Sequence, residues 1–257
     1  CCDGDAELEH RFNYPAHAYS GADMTVMAEL AGDLRAEGDD LREFLLTLSA
    51  QAWQRPTPFK NWSVDDVLIH LLVGDWFNVL AMTAPERFQA IMATRRAARE
   101  AGKPRTSGIE TLDTPVGSGR DLLAAWFDGL NRLVELFEHS DPRARMQWVG
   151  PDMSIRSAAT ARLMETWAHG QDVYDMMRVA RTHHDRIRHI AVLGVNTYDW
   201  TFRNRGLEPP SPAPRVELTS PSGERWCCTE DEAAPRVTGS GVEVCEGVTQ
   251  GRTPARV

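Results

Sequence analysis

Arg162-Leu-Met-Glu-Thr-Trp-Ala-His-Gly-Gln-Asp172 lies inside a long helix that the sequence predicts from about Ser154 to Ala180. Glu165 and His169 are four residues apart, so the helix carries both on one face, about one turn from each other. That spacing lets two side chains of one helix grip one ion. Asp172 follows a turn later, placed to orient His169 through its second ring nitrogen, as metal-bound histidines require. Ala158 and Ala161 share the stripe and are small enough to leave room for a ligand. By itself Glu-x-x-x-His also fits a hydrogen-bonded i,i+4 pair on a solvated face, so the stretch alone leaves both readings open.

The rest of the chain supplies partners for such a helix. Met27, Leu30, Leu34, Leu41, Leu45 and Leu48 fall at helical spacings, which predicts an amphipathic helix over 25–50. Two prolines in Trp53-Gln-Arg-Pro-Thr-Pro58 then force an extended connection. Ser63-Val-Asp-Asp66 has the pattern of a capping box, and Val67, Leu68, Leu71, Leu72, Trp76, Val79 and Leu80 form the apolar face of the helix that follows. A shorter Arg- and Ala-rich helix is predicted over 86–101, a Gly- and Pro-containing loop over 102–118, and a third long helix over 119–139. In that helix Leu122, Leu123, Trp126, Leu130, Leu133, Val134 and Phe137 point inward. A further helix is predicted from about His184 to Arg205. The sequence is therefore mainly α, with its long helices arranged as a bundle.

His70 sits mid-helix in Val67-Leu-Ile-His-Leu-Leu72, nearly surrounded by aliphatic residues. It is either a core histidine satisfied by one hydrogen bond or a ligand in a dry bundle interior. Read with Glu165 and His169, it completes a His2Glu set from two helices, which leaves a fourth coordination position open as catalytic zinc sites do. The other histidines carry less. His10 and His17 fall in a polar extension, His139 at a helix end, and His183, His184 and His189 among charged residues. Gly117-Ser-Gly119 at a helix start fits a flexible entry better than an anion nest. The sequence holds neither a Gly-x-Ser-x-Gly elbow nor a Walker loop.

Pro209-Pro-Ser-Pro-Ala-Pro214 reads as a stiff linker. Beyond it Arg215-Val-Glu-Leu-Thr219 alternates like a strand, Ser220-Pro-Ser-Gly223 turns, and Glu224 to Thr229 returns as a second strand. The organisation expected is a polar, disordered extension over 1–23, a helical domain over 24–207 and a small α+β appendage over 215–257. The chain has 257 residues and a net charge of -9, which argues against a polyanionic ligand such as nucleic acid. No stretch approaches about 20 uninterrupted apolar residues, so no membrane span is expected. Cys1, Cys2, Cys227, Cys228 and Cys245 form neither a CxxC pair nor a disulfide framework, and a cytoplasmic setting is the simplest. Cys227 and Cys228 are expected on a strand, one facing in and one out.

Trp53-x-x-Pro-Thr-Pro58, Asn61-Trp-Ser63, His70-Leu-Leu with Asp75, and the Arg162–Asp172 stretch resemble, in that order, the mycothiol-dependent maleylpyruvate isomerase family. That family is an actinobacterial branch of the DinB-like metal-binding bundles, and the resemblance spans roughly residues 27–250. It implies a DinB-like four-helix bundle holding a divalent metal, usually zinc, and a smaller C-terminal α/β domain. It also implies that His70, Glu165 and His169 are the metal ligands. Mycothiol would be the thiol co-substrate and a small electrophile the other substrate, in a monomer or homodimer. A metal-coordinated thiol loses its proton near neutral pH. The thiolate then adds to an electrophilic carbon, and either leaves after bond rotation (an isomerase) or stays (an S-transferase). A non-catalytic metal-binding bundle with a stress or regulatory role is the alternative. The ending Gly251-Arg-Thr-Pro-Ala-Arg-Val257 departs from the family pattern and reads as a shortened tail. The family uses an arginine of the C-terminal domain, to which no residue here is assigned.

Overall fold

The computed structural model describes residues 23–104, 106–227 and 234–249. These form two compact units, the first ending at Ala180 and the second starting at Arg181. The expectations for the N-terminal extension up to residue 22, for Cys228 and for the tail 251–257 lie outside the described residues.

In the first unit, α1 (Asp23–Leu46), α2 (Val64–Thr83), α4 (Arg120–Glu138) and α5 (Ile155–Met177) make the bundle, and α3 (Pro85–Glu100) packs on α2. α1 and α2 each pack on both α4 and α5, so they occupy opposite corners. A two-residue hairpin, β1 (Arg145–Met146) with β2 (Met153–Ser154), precedes α5. The core is what the helical spacing dictates. Met27, Leu30, Leu34, Leu41 and Leu45 of α1 are buried, as are all seven residues expected inward on α4. Each large side chain so buried contributes about 1.5–3 kcal/mol. α1 and α4 approach so closely at Gly38 that a Cβ there would overlap the Leu130 side chain.

α2 begins at the expected capping box. The Ser63 hydroxyl accepts from the Asp66 amide at 3.1 Å, and the Asp66 carboxylate accepts from the Ser63 amide at 2.9 Å. α2 is long and apolar enough to cross a membrane by length and composition, but 61% of its apolar window is buried in the bundle. Its apolarity is that of a core helix. α5 is capped by Ser154, which accepts from the Ser157 amide at 3.1 Å, and it stops at Met177 as Arg178 turns left-handed with φ 57°. The predicted loop over 102–118 contains one 3-10 turn, Ile109–Thr111.

The second unit corrects the sequence reading of one helix from His184 to Arg205. A 3-10 turn at Asp185–Ile187 is followed by two short helices, α6 (Arg188–Asn196) and α7 (Tyr198–Arg203). Thr197 separates them, and its hydroxyl donates to the Leu193 carbonyl at 2.8 Å, a back-bond that bends helices. β3 (Arg215–Thr219) pairs antiparallel with β4 (Arg225–Cys227) and parallel with β5 (Arg236–Ser240), in the order β4-β3-β5. α8 (Gly241–Val248) follows and packs on α6. α6 and α7 thus fall in the same compact unit as the strands, whereas the sequence reading placed the domain break in the proline stretch. β5 and α8 had no sequence signal: β5 is almost wholly exposed and shows no apolar alternation. Cys227 is exposed and Cys245 is buried.

Candidate metal centre

α2 and α5 pack directly, and each turns one stripe toward the other. The α2 stripe is His70, Gly74 and Asn78, one turn apart; the α5 stripe is Ala158, Ala161, Arg162 and Glu165. His169 follows Glu165 by one further turn. His70 Nε2 lies 2.8 Å from Glu165 Oε2, and His169 Nε2 lies 3.4 Å from the same oxygen. One candidate ligand atom from each of the three side chains falls within 4.8 Å of the others. The imidazole rings are 4.7 Å apart and nearly perpendicular.

Asp172 sits where the sequence placed it. Its Oδ2 is 3.2 Å from His169 Nδ1. In the neutral imidazole this hydrogen bond puts the proton on Nδ1 and leaves the Nε2 lone pair facing Glu165. The electrostatics divide the two histidines. Burial, only partly offset by the hydrogen bond to Glu165, lowers the His70 pKa. Burial also opposes charge on His169, but hydrogen bonds to Asp172 and Glu165 outweigh it and raise its pKa. Burial works against ionising Glu165, yet hydrogen bonds from both histidines and the nearby Arg162 charge hold its carboxyl well below the usual carboxylate range. The site therefore carries an ionised carboxylate at Glu165 and favours the neutral imidazole at His70, whereas Asp172 and Glu165 together favour the charged form of His169. Metal coordination needs the first two states, and at His169 it would displace the Nε2 proton.

Two features escaped the sequence reading. The first is the turn between the prolines and α2. Lys60 and Asn61 adopt left-handed conformations with φ 51° and 56°, and the Thr57 amide donates to the Trp62 carbonyl at 2.7 Å. This folds Phe59 and Trp62 over the histidines. Trp62 stacks 5.7 Å from His169 and lies 5.3 Å from His70, while Phe59 meets His169 edge-on at 4.9 Å. Trp62 is half-buried, packs against the core and walls the site. The second is a buried ion pair. Arg162 Nε donates to Asp75 Oδ1 at 2.8 Å and Nη2 donates to the Leu71 carbonyl at 3.2 Å. Asp75 is fully buried, which raises its pKa against the pull of Arg162.

A cleft of about 240 Å³ opens beside His70 and Glu165, walled by Val73, Phe77, Met92, Trp148 and Met153. Ala158 and Ala161 line it, as their small size suggested. The other histidines contribute nothing here. His10 and His17 lie outside the described residues, and His139 Nδ1 is bound to the Glu135 carbonyl at the end of α4. His183, His184 and His189 belong to the second unit.

Fold and site define a helical-bundle protein whose two facing helices converge two histidines and a carboxylate beside a cleft. The chain belongs to the mycothiol maleylpyruvate isomerase family, whose N-terminal domain model matches residues 34–174. Two uncharacterized proteins of Mycobacterium tuberculosis, from two strains, are each 42% identical over 221 residues, covering 86% of this chain and 84% of theirs. The crystal structure of the mycothiol-dependent maleylpyruvate isomerase is similar with a TM-score of 0.46 and 13% identity, covering 86% of this chain and 88% of that one. A variant of the same enzyme gives a TM-score of 0.42 and 14% identity.

Proposed function

We propose that His70, Glu165 and His169 hold one divalent metal ion, zinc by preference, and that the protein is a thiol-dependent isomerase or S-transferase using mycothiol. The observation that carries this reading is the convergence of three ligand atoms from two helices within 4.8 Å, with Asp172 fixing the ring of one of them. The donor set fits zinc: two imidazole nitrogens and one carboxylate, with a fourth position left for a ligand. When bound, such an ion supplies the Lewis acidity that makes a coordinated thiol ionise near neutral pH.

The chain's own groups do the rest. Phe59 and Trp62 shield the histidine face from water, and Asp172 holds His169 in the tautomer that can coordinate. The apolar cleft beside His70 receives the small electrophile and presents its reactive carbon to the thiol sulfur. The thiolate would form a bond to that carbon as the substrate's π bond opens and its electron pair moves onto the conjugated carbonyl. In an isomerase that pair returns after rotation about the resulting single bond and expels the thiolate; in a transferase the adduct takes a proton from solvent and is released. The thiol must be supplied reduced, which suits the cytoplasm.

The alternative is a bundle that binds metal without catalysis. The cleft favours the enzyme, since a structural metal site would be closed by a fourth protein ligand. Zinc-loaded protein incubated with mycothiol and a panel of cis-unsaturated acids and other electrophiles should isomerise or conjugate at least one of them. Neither product, from a protein that holds its metal, leaves the non-catalytic reading.

A further inference from the structure

The Arg162–Asp75 pair lies in the wall of this same cleft, and its geometry is that of a guanidinium with one arm unspent. Nε is taken by Asp75 and Nη2 by the Leu71 carbonyl. Nη1 has no partner among the described residues and lies over Gly74, where a Cβ would approach it to 2.6 Å. Gly74 and Arg162 both line the cleft, with Glu165 one turn along from Arg162. Only a glycine at 74 lets the guanidinium rest there. A buried ion pair is a poor source of stability, because desolvation offsets the attraction and well-packed apolar residues commonly do as well. A desolvated, rigidly held guanidinium is, by contrast, a strong and directional receptor for an anionic oxygen.

We infer that Arg162 determines specificity: Nη1 receives a carboxylate, or an oxygen of like charge, on a small ligand that lies between α2 and α5 with its apolar part against Phe77 and Trp148. Asp75 is a positioning residue that aims the fork. The inference rests on the proposed metal reading only for the orientation of the ligand's other end toward His70 and Glu165.

The test compares benzoate with benzamide, which match in shape and differ in charge, by NMR titration of zinc-free and zinc-loaded protein. Wild type should prefer benzoate roughly tenfold even without zinc, the size expected for a charge-assisted hydrogen bond. The double variant Asp75→Leu with Arg162→Met removes both buried charges together, so it should stay folded, take up zinc and lose the preference. Gly74→Ala keeps both charges but pushes the planar guanidinium aside, since the new Cβ would meet Nη1 at 2.6 Å, Cζ at 3.0 Å and Nη2 at 3.2 Å, and it should weaken benzoate binding while benzamide binding holds; this variant decides the matter if the double variant does not fold. A wild type without preference, or a folded variant that keeps it, overturns the inference. Preference without zinc uptake would sink the metal reading alone, and zinc uptake without preference would sink this one alone.

Discussion

Asp172 illustrates how much one hydrogen bond decides. Its 3.2 Å contact with His169 Nδ1 sets which ring nitrogen is free for a metal. Asp172→Ala should leave the fold intact and weaken metal affinity about 10–100-fold, the usual loss for an outer partner of a metal-bound histidine; competition with a chelator of known affinity would measure it, and an unchanged affinity would remove Asp172 from the site. At this scale the sequence was legible where neighbours along the helix make the pattern. Glu165, His169 and Asp172 could be placed together because a helix repeats every turn. His70 stayed ambiguous, since nothing local separates a core histidine from a ligand, and only its 2.8 Å approach to Glu165 from another helix brings the two together. Phe59 and Trp62 were not legible at all. Their position depends on two left-handed residues, Lys60 and Asn61, that no periodicity announces. Asp75 and Arg162 are 87 residues apart in the chain, so their pairing is a property of packing.

At the scale of elements, α1 and α4 meet closely at Gly38. Gly38→Ala would drive a methyl into Leu130, and overpacking of this kind costs about 1–3 kcal/mol. Chemical denaturation should find that loss even though alanine favours a helix more than glycine does; a stabilised variant would show that the helices separate easily. In the second unit Asp185 ties the Ser220–Gly223 turn to the start of α6, accepting from the Ser222 hydroxyl at 2.6 Å and the Ser222 amide at 3.0 Å. The hydroxyl bond is the main cause of its pKa lying below 3.8. A carboxyl depressed on folding stabilises above its unfolded pKa, and the contribution is lost as pH falls through the folded value. Wild type should therefore lose under about 1 kcal/mol of stability relative to Asp185→Asn below about pH 4, the small size reflecting solvent screening. Equal pH profiles would remove Asp185 as a clasp. The long helices α1, α2, α4 and α5 were legible to within a few residues. The short elements were not: β1 and β2 have two residues each, and α6 and α7 divide at the single residue Thr197.

The molecule consists of two compact units. All three proposed ligands, the aromatic wall and the cleft belong to the unit that ends at Ala180, which has its own hydrophobic core running from Met27 to Met176. The mainly α fold with a small sheet appendage was readable from the sequence because stripes of leucine and valine specify a bundle whatever its loops do. The boundary between the units was not, because prolines mark a stiff segment and need not mark where packing changes. On the proposed reading the bundle carries one divalent ion on His70, Glu165 and His169. Elemental analysis of purified wild type and of His169→Ala would decide this first. About one zinc, or another divalent metal, is expected per wild-type chain and should be lost from a variant that remains folded. A well-folded wild type that holds no metal and fails to take up added zinc would contradict it.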